Sequence, residues 1–338
     1  MVFVISKTKY ITSMGELKRK DNSIVFRNEK GNTYIPIEGI REIVCLNEIK
    51  INTKFLDYIS RFGVVLHFFN YYGQYSGTFY PKENLISGKI KVKQVQAYLD
   101  ENKRLNICKS IVNGIAINIH ETLYHYYKHG NKDIKDILDW LRKEVPILLE
   151  KEINIKRILF IEGLVWQRFY SIFNKILKEE FVFNKRVKRP PDNPLNALIS
   201  FGNSVIYSKT ITQIYGTHLD QSISYLHEPS EGRFSLSLDI SEVFKPVIVF
   251  KTIFDCVNNR KIQVDKHFNK KLNYCLLNDE GRNIFITELE KRLNSVFVHK
   301  GLNRKTTYLN AIKLDGYKLI KYLVEDKKFV PFSLKEMY

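Results

Sequence analysis

The chain has 338 residues, with 54 Lys or Arg against 36 Asp or Glu, so its formal net charge is +18. Apolar residues make up 44% and charged residues 27% of the chain, which is typical of a globular protein with a sizeable core and excludes a disordered one. No stretch reaches the roughly 18 uninterrupted apolar residues of a membrane span, and the first residues lack the pattern of a signal peptide. We therefore expect a cytoplasmic protein with about two domains.

The excess of positive charge limits the partners of this protein. A chain this basic, with no evident amphipathic membrane anchor, favours nucleic acid as the polyanion that it binds. A lysine-rich composition that follows from an AT-rich genome is the alternative explanation of the charge. The four cysteines form no C-x-x-C pair and are predicted to be buried, reduced thiols; they are Cys45, Cys108, Cys256 and Cys275.

Residues 1–85 contain short β-like segments separated by turn signals. The predicted strands are Val2–Ile5, Ser23–Arg27, Thr33–Ile37, Ile40–Leu46, Val64–Phe69 and Tyr75–Tyr80. Asn28–Asn32 is typical of a hairpin turn. One short helix is predicted to begin after Asn52, which caps it, and to end at Gly63. Because nearly all of these elements are short and β-like, a small β-sandwich is the predicted packing.

From about residue 88 the apolar residues recur with a helical period. Predicted helices run from Asp100 to about Gly130, from Asn131 with an interruption at Pro146, from Asn154 to Lys178, from Pro194 onwards, from Asn278 to Arg292, and from Lys305 to Val324. The fold class predicted is therefore α+β. A small N-terminal β-sandwich domain, residues 1–85, is followed by a larger all-α C-terminal domain, residues 86–338.

Glu162 is the first residue that indicates chemistry. Its neighbours in Phe160–Tyr170 are largely apolar or small, and a carboxylate in such surroundings is unfavourable unless it is paired, protonated or bound to a cation. A basic partner such as Arg168 would satisfy it without any catalytic role. Both interpretations remain open from the residue pattern alone.

A histidine and two further carboxylates follow Glu162 in the chain. His227 lies in a predicted connector between two helices, and Asp239 and Glu242 are spaced i, i+3 on one helix face. Lys245 takes the next i+3 position, and Pro246 is expected to kink this helix. Carboxylate oxygens and one imidazole nitrogen suit Mg²⁺ or Mn²⁺. The alternative for the two acids is a surface face paired to Lys245.

Four motifs occur in order along the chain. They are Ile161 to Gly163 (IEG), Arg189 to Ser204 (RPPDNPLNALISFGNS), Leu219-Asp220 followed by Tyr225 to Pro229 (YLHEP), and Leu238 to Pro246 (LDISEVFKP). This ordered set resembles that of the CRISPR-associated spacer integrases, the larger of the two core adaptation proteins. The resemblance covers the whole chain. It departs from many relatives at the last acid, where they carry Asp and this chain carries Glu242.

The resemblance implies a metal-dependent DNA endonuclease and integrase that inserts short foreign DNA fragments into a CRISPR array. In that reaction, the 3′-hydroxyl of the fragment attacks a phosphodiester. The family pattern implies that Glu162, His227 and Glu242 bind Mg²⁺ or Mn²⁺ and that Asp239 lines the catalytic site and assists. It also implies a homodimer formed through the N-terminal domain, a heterohexamer with the small adaptation partner protein, and a catalytic, DNA-binding C-terminal domain.

Basic residues are expected to hold the double-stranded or branched DNA. Four cations occur within five residues, Lys185, Arg186, Lys188 and Arg189, and Arg233 and Lys245 are candidates for contacting the reacting phosphate. A solvated basic loop is the alternative for these residues. Two other functions remain open: a stand-alone metal-dependent nuclease that acts on branched DNA, and a non-catalytic DNA-binding scaffold.

Overall fold

The protein divides into two compact units, Met1–Asn84 and Leu85–Tyr338. The computed structural model describes residues 7–82, 85–271 and 274–337. The predicted strand Val2–Ile5 lies outside these described residues.

The described part of the first unit contains two four-stranded sheets, ordered β4-β3-β2-β6 and β1-β5-β7-β8. Its elements are β1 Lys7–Ile11, β2 Gly15–Lys20, β3 Ser23–Asn28, β4 Gly31–Pro36, β5 Ile40–Cys45, β6 Ile49–Ile51, α1 Thr53–Arg61, β7 Val65–Phe69 and β8 Tyr75–Phe79. Buried side chains from both sheets, such as Leu17 and Leu66, form one core with Phe55 of α1. The predicted N-terminal β-sandwich is confirmed.

Local turn chemistry explains the connections in this unit. The β3–β4 hairpin pairs Asn28 with Gly31, and Gly31 has a φ of 115°, a conformation that favours glycine. Helix α1 begins where the Asn52 side chain accepts a hydrogen bond from the Phe55 N–H. It ends before Gly63, which has a φ of 64°. Both ends of this helix were predicted from these residues.

The second unit is mostly helical, as predicted. Its helices are α2 Gly88–Leu99, α3 Glu101–Lys128, α4 Lys135–Asp139, α5 Val145–Lys151, α6 Ile155–Ser171, α7 Phe173–Ile176, α8 Pro194–Tyr215, α9 Ser235–Phe244, α10 Lys251–Asn258, α11 Val264–His267, α12 Asp279–Asn294 and α13 Tyr308–Glu325. Along the described helices, none is both long enough and apolar enough to cross a membrane.

Two short antiparallel strand pairs in this unit were not predicted. They are β9 Phe268–Lys271 with β10 Tyr274–Leu277, and β11 Val296–His299 with β12 Arg304–Thr307. Residues Lys305 to Thr307 are therefore strand, although a helix was predicted to begin there. Helix α13 begins at Tyr308 instead, because the Thr307 hydroxyl caps it by accepting the Asn310 N–H.

Helices α3, α6, α8 and α9 pack together in the core of the second unit. An aromatic cluster links α6 to the segment that follows α9: the ring centroids of Phe169 and Phe250 are 5.0 Å apart, and those of Trp166 and Phe250 are 5.6 Å apart. Edge-to-face and tilted ring pairs of this kind stabilise a defined relative position. The cluster therefore sets the position of α6 relative to α9.

The helix that begins with α9 was predicted to kink at Pro246, and the structure has a π-helical turn at this position. Residues Pro246–Phe250 form a π-helical turn between α9 and α10, and the Phe250 N–H bonds the Lys245 carbonyl five residues earlier. Proline has no N–H to donate to the carbonyl of Glu242, so the regular α-helical ladder cannot continue through this position. The irregularity lies directly after the predicted acidic residues.

Gly202 is a position where α8 packs too closely for any side chain. An added Cβ would lie 2.5 Å from Cγ1 of Val249 and 3.2 Å from the Phe285 ring. We expect Gly202→Ala to lower the free energy of unfolding by about 1–3 kcal/mol through overpacking, as measured by urea denaturation. The control is Gly163→Ala in α6, where an added Cβ meets nothing within 4 Å. Equal stability of the two variants would contradict this packing argument.

Candidate functional site

A cavity of about 730 Å³ opens in the second unit between α6, α8, α9 and the connectors around them. It brings together three of the four predicted catalytic residues, Glu162, His227 and Glu242. The predicted cations that also line it are Lys185, Arg186, Lys188 and Lys245. Residues far apart in sequence thus meet at one site.

Asp239 organises the connector that carries His227. Its Oδ2 accepts the backbone N–H groups of Tyr225 and Leu226, both at 2.9 Å. Its Oδ1 accepts the His227 N–H at 3.1 Å and lies 2.7 Å from His227 Nδ1. The side chain is fully buried. A carboxylate that receives this many donors is satisfied without a counter-ion.

The hydrogen bond to Asp239 also determines which ring nitrogen of His227 carries a proton and which one can accept. Because a carboxylate only accepts, Nδ1 carries a proton, and Nε2 is the acceptor in the neutral ring. Burial lowers the pKa of His227, but the hydrogen bond and charge of Asp239, with the charges of Glu242 and Glu162, raise it above its ordinary value overall. The imidazole is held in one orientation by a fixed partner.

Glu162 lies on α6 with its Oε1 2.6 Å from Nε1 of Trp166, which donates to it. Burial, together with the neighbouring charge of Glu242, raises the pKa of Glu162 to about 7. Arg168, its suggested alternative partner, instead lies over the Trp140 ring at 4.1 Å. A carboxyl group whose ionised form is disfavoured by burial and by a second carboxylate is typical of a functional site.

Glu242 and Lys245 form a buried ion pair on α9. The Lys245 ammonium donates to Glu242 Oε1, and both residues are less than 10% exposed. Lys245 is the partner that the alternative interpretation of the i, i+3 spacing gave to these acids. The pair is not the predicted surface alternative, however, because both side chains are buried against the cavity.

The basic cluster has two different roles in this structure. Lys185 and Lys188 are exposed side chains at the cavity, where a polyanion has access to them. Arg186 is half-buried and donates to the Asn196 side chain at 3.0 Å and to the Ser200 hydroxyl at 2.9 Å. Arg186 therefore ties the connector before α8 to that helix as well as lining the cavity.

Three predicted residues do not line the cavity, namely Asp239, Arg189 and Arg233. Asp239 acts from behind His227, as described above. Arg189 is exposed on the connector before α8. The Arg233 side chain is exposed, and its guanidinium donates to the Glu228 carbonyl at 3.2 Å.

Sequence reasoning did not identify several residues of the cavity wall. Trp166 and Tyr170 follow Glu162 at i+4 and i+8, the helical spacing that would have placed them on its face of α6. Asn203 lines the same wall from α8, and its Oδ1 is buried without a hydrogen-bond partner. The position of Asn203 inside the motif Arg189 to Ser204 was the available signal.

The residues of the cavity fit a divalent cation in donor type and charge. Glu162, Glu242 and His227 Nε2 offer two carboxylates and one imidazole nitrogen, a set suited to Mg²⁺ or Mn²⁺. Burial and the neighbouring Glu242 raise the pKa of Glu162, so its ionised form is disfavoured here, and a nearby cation would favour that form. Within residues 7–82, 85–271 and 274–337, no three His, Cys, Asp or Glu side chains converge as a ligand set. Binding would therefore require the carboxylates to exchange their present partners.

Comparison with known proteins gives consistent matches. The family model for CRISPR associated protein Cas1 matches residues 9–291. The CRISPR-associated endonuclease Cas1 of Fusobacterium nucleatum is 43% identical over 98% of this chain and 97% of its own. The structure of a Cas1 protein from Thermotoga maritima is 36% identical, with a TM-score of 0.85 over 96% of this chain and 99% of that one. A casposase bound to integration product shares the fold, with a TM-score of 0.85 at 20% identity over 98% and 94% of the two chains.

The Asp239 carboxylate can be tested apart from any activity. Asp239→Asn places an amide donor against backbone N–H groups that need an acceptor, and each buried donor left unsatisfied is unfavourable by about 1–3 kcal/mol. We expect the free energy of unfolding in urea to fall by at least that amount. The control is Asp265→Asn, an exposed residue expected to change it by less than about 0.5 kcal/mol. Equal stability of the Asp239→Asn variant and the wild type would contradict the assigned role.

Proposed function

The chain belongs to the CRISPR-associated protein Cas1 family, a family of endonucleases and integrases, and from this premise we propose that it inserts short DNA fragments into a CRISPR array in a reaction that depends on Mg²⁺ or Mn²⁺. The 3′-hydroxyl of a fragment would attack a phosphodiester of the array. Water in place of that hydroxyl would give endonuclease activity from the same site.

One observation carries the proposal: Glu162, His227 and Glu242 line a single cavity that lysine side chains also line. Phosphoryl transfer needs acidic and imidazole groups that position a cation, together with positive charge that receives the phosphates. The casposase found with an integration product shares this fold and supports strand transfer as the reaction.

Each side chain then has a distinct task. Glu162, Glu242 and His227 Nε2 would hold the metal, while Asp239 keeps the imidazole in one tautomer and orientation. The bound metal would supply Lewis-acid stabilisation and lower the pKa of the attacking hydroxyl. Lys245, which now neutralises Glu242, can turn to a phosphate oxygen when that carboxylate takes another partner.

The partners proposed for this protein follow its charge and its family. Double-stranded or branched DNA would bind over Lys185 and Lys188, which are exposed at the cavity. Dimerisation through the N-terminal unit and a heterohexamer with the small adaptation partner protein are part of the proposal.

The catalytic role of Glu242 is tested by comparing the wild type with Glu242→Gln. Each would be mixed with the small partner, fragments with free 3′-hydroxyls and a supercoiled repeat-bearing plasmid, with and without Mn²⁺. We expect metal-dependent joining by the wild type and a loss of at least about 100-fold in the variant, with DNA affinity unchanged within threefold. Glu48→Gln, an exposed residue of the first unit, is the matched control.

Other results of this experiment favour the other functions. Nicking of the plasmid without joining would contradict the integrase activity and favour a stand-alone nuclease. DNA binding without joining or nicking by either protein would contradict catalysis and favour a scaffold.

The role of the lysines is tested by the salt dependence of DNA binding. The slope of log K against log salt is negative, and removing one lysine–phosphate interaction lowers its magnitude by about 0.9. We expect Lys185→Gln/Lys188→Gln to lower this magnitude by about 1–2 and to weaken binding at low salt. The charge-matched control is Lys50→Gln/Lys328→Gln, two exposed lysines that do not line the cavity. Equal slopes for both double variants would show that net charge alone drives binding.

A further inference from the structure

We propose that Arg104 is a positioning residue for the reaction, which acts with Glu228 and Tyr98 to hold the connector that carries His227. Arg104 lies on α3 and is not part of the cavity wall. This inference rests on the proposed function, because the position of His227 matters to the reaction only when His227 takes part in it.

The Arg104 guanidinium donates hydrogen bonds to connector residues on both sides of His227. Its Nε donates to the Tyr225 carbonyl at 2.9 Å, and its Nη2 donates to Glu228 Oε1 at 2.7 Å. The planar guanidinium offers donors in a fixed geometry, so two bonds to residues three apart restrain the backbone between them. His227 lies in that restrained stretch.

Arg104, Glu228 and Tyr98 together form a hydrogen-bonded clasp, and Cys108 adds one further contact to the connector. The Tyr98 hydroxyl donates to Glu228 Oε2 at 2.7 Å, and the Arg104 guanidinium lies 4.2 Å from the centre of the Tyr98 ring. Cys108, one turn further along α3, directs its thiol to the same Tyr225 carbonyl at 3.2 Å. The contacts come from the C-terminal residues of α2 and the first turns of α3, which are rigid elements.

The clasp and Asp239 hold opposite polar groups of the same connector. Asp239 accepts its backbone N–H groups, whereas Arg104 donates to its carbonyl at Tyr225. Together they define the direction in which the imidazole leaves the backbone. A connector without regular secondary structure has no internal ladder to do this, so its orientation must come from outside contacts.

The exposure of Glu228 argues that the clasp serves orientation more than stability. In this pair the Glu228 side chain is 64% exposed and the Arg104 side chain 11% exposed, and an ion pair that is solvated at one member contributes little to folding. Misplacing a reacting group by about 1 Å, by contrast, can lower a rate by about 100-fold. Removal of the clasp should therefore affect turnover more than stability.

The test compares Arg104→Gln, Glu228→Gln and Tyr98→Phe with the wild type on branched DNA in Mn²⁺. We expect kcat to fall by about 10- to 100-fold for Arg104→Gln, less for Glu228→Gln and least for Tyr98→Phe, while KM stays within about twofold. Lys103→Gln is the matched control, since it removes the neighbouring α3 ion pair with Asp326 and should leave kcat unchanged.

A second readout observes His227 directly and needs no activity. In metal-free protein with ¹³C-labelled histidine, the His227 ring resonance, assigned with His227→Gln, should shift or broaden in Arg104→Gln and stay unchanged in Lys103→Gln. An unchanged kcat and an unchanged resonance in a folded Arg104→Gln protein would overturn the inference. A lower kcat that accompanies an unchanged resonance and a lower melting temperature would assign Arg104 a purely structural role and overturn it as well.

The two measurements separate this inference from the proposed function. Full activity of the His227→Gln variant would show that the reaction does not need His227, which is a failure of the proposed function. A perturbed His227 resonance in Arg104→Gln would still establish the clasp in that case.

Discussion

The site depends on one buried carboxylate. Asp239 accepts three successive backbone N–H groups of the connector and the Nδ1 proton of His227. A charge in the interior is tolerated only when donors surround it, and this connector supplies them from its own backbone. The carboxylate therefore creates the bend that brings His227 from a long irregular connector to the wall of the cavity. Without it, α9 would present Glu242 to a site that has no imidazole.

The balance of charge around the cavity follows from the same packing. Helices α6 and α9 each bring one carboxylate to a partly desolvated space, and each carboxylate has a protein partner of its own, Trp166 for Glu162 and Lys245 for Glu242. Burial, and after it the charge of Glu242, raises the pKa of Glu162. Two carboxylates in such a space favour positive charge nearby, and the Lys245 ammonium already lies against Glu242.

The helix that carries Glu242 becomes irregular directly after the residues that line the cavity. Pro246 ends the regular helix immediately after Glu242 and Lys245, and the π-helical turn that follows carries Phe250 into the aromatic cluster with α6. A change of helical geometry next to functional residues is common, because it reorients side chains without a loop. The aromatic contacts then hold the two acid-bearing helices at a set separation.

Much of this protein was predictable from local residue patterns. Asn52, Asp100, Asn154 and Asn278 cap the helices that follow them, as predicted. The i, i+3 spacing also offered a pair with Lys245 as the alternative role of Glu242, because these interactions span a few residues. The tertiary structure determined the contacts between residues that are far apart in the sequence. It moved Asp239 from the cavity wall to a place behind His227, turned Arg186 toward α8, removed Arg233 from the site and added Tyr170 and Asn203 to it. Which side of a helix faces this cavity depends on other helices that lie tens of residues away in the sequence, and no local pattern contains that information.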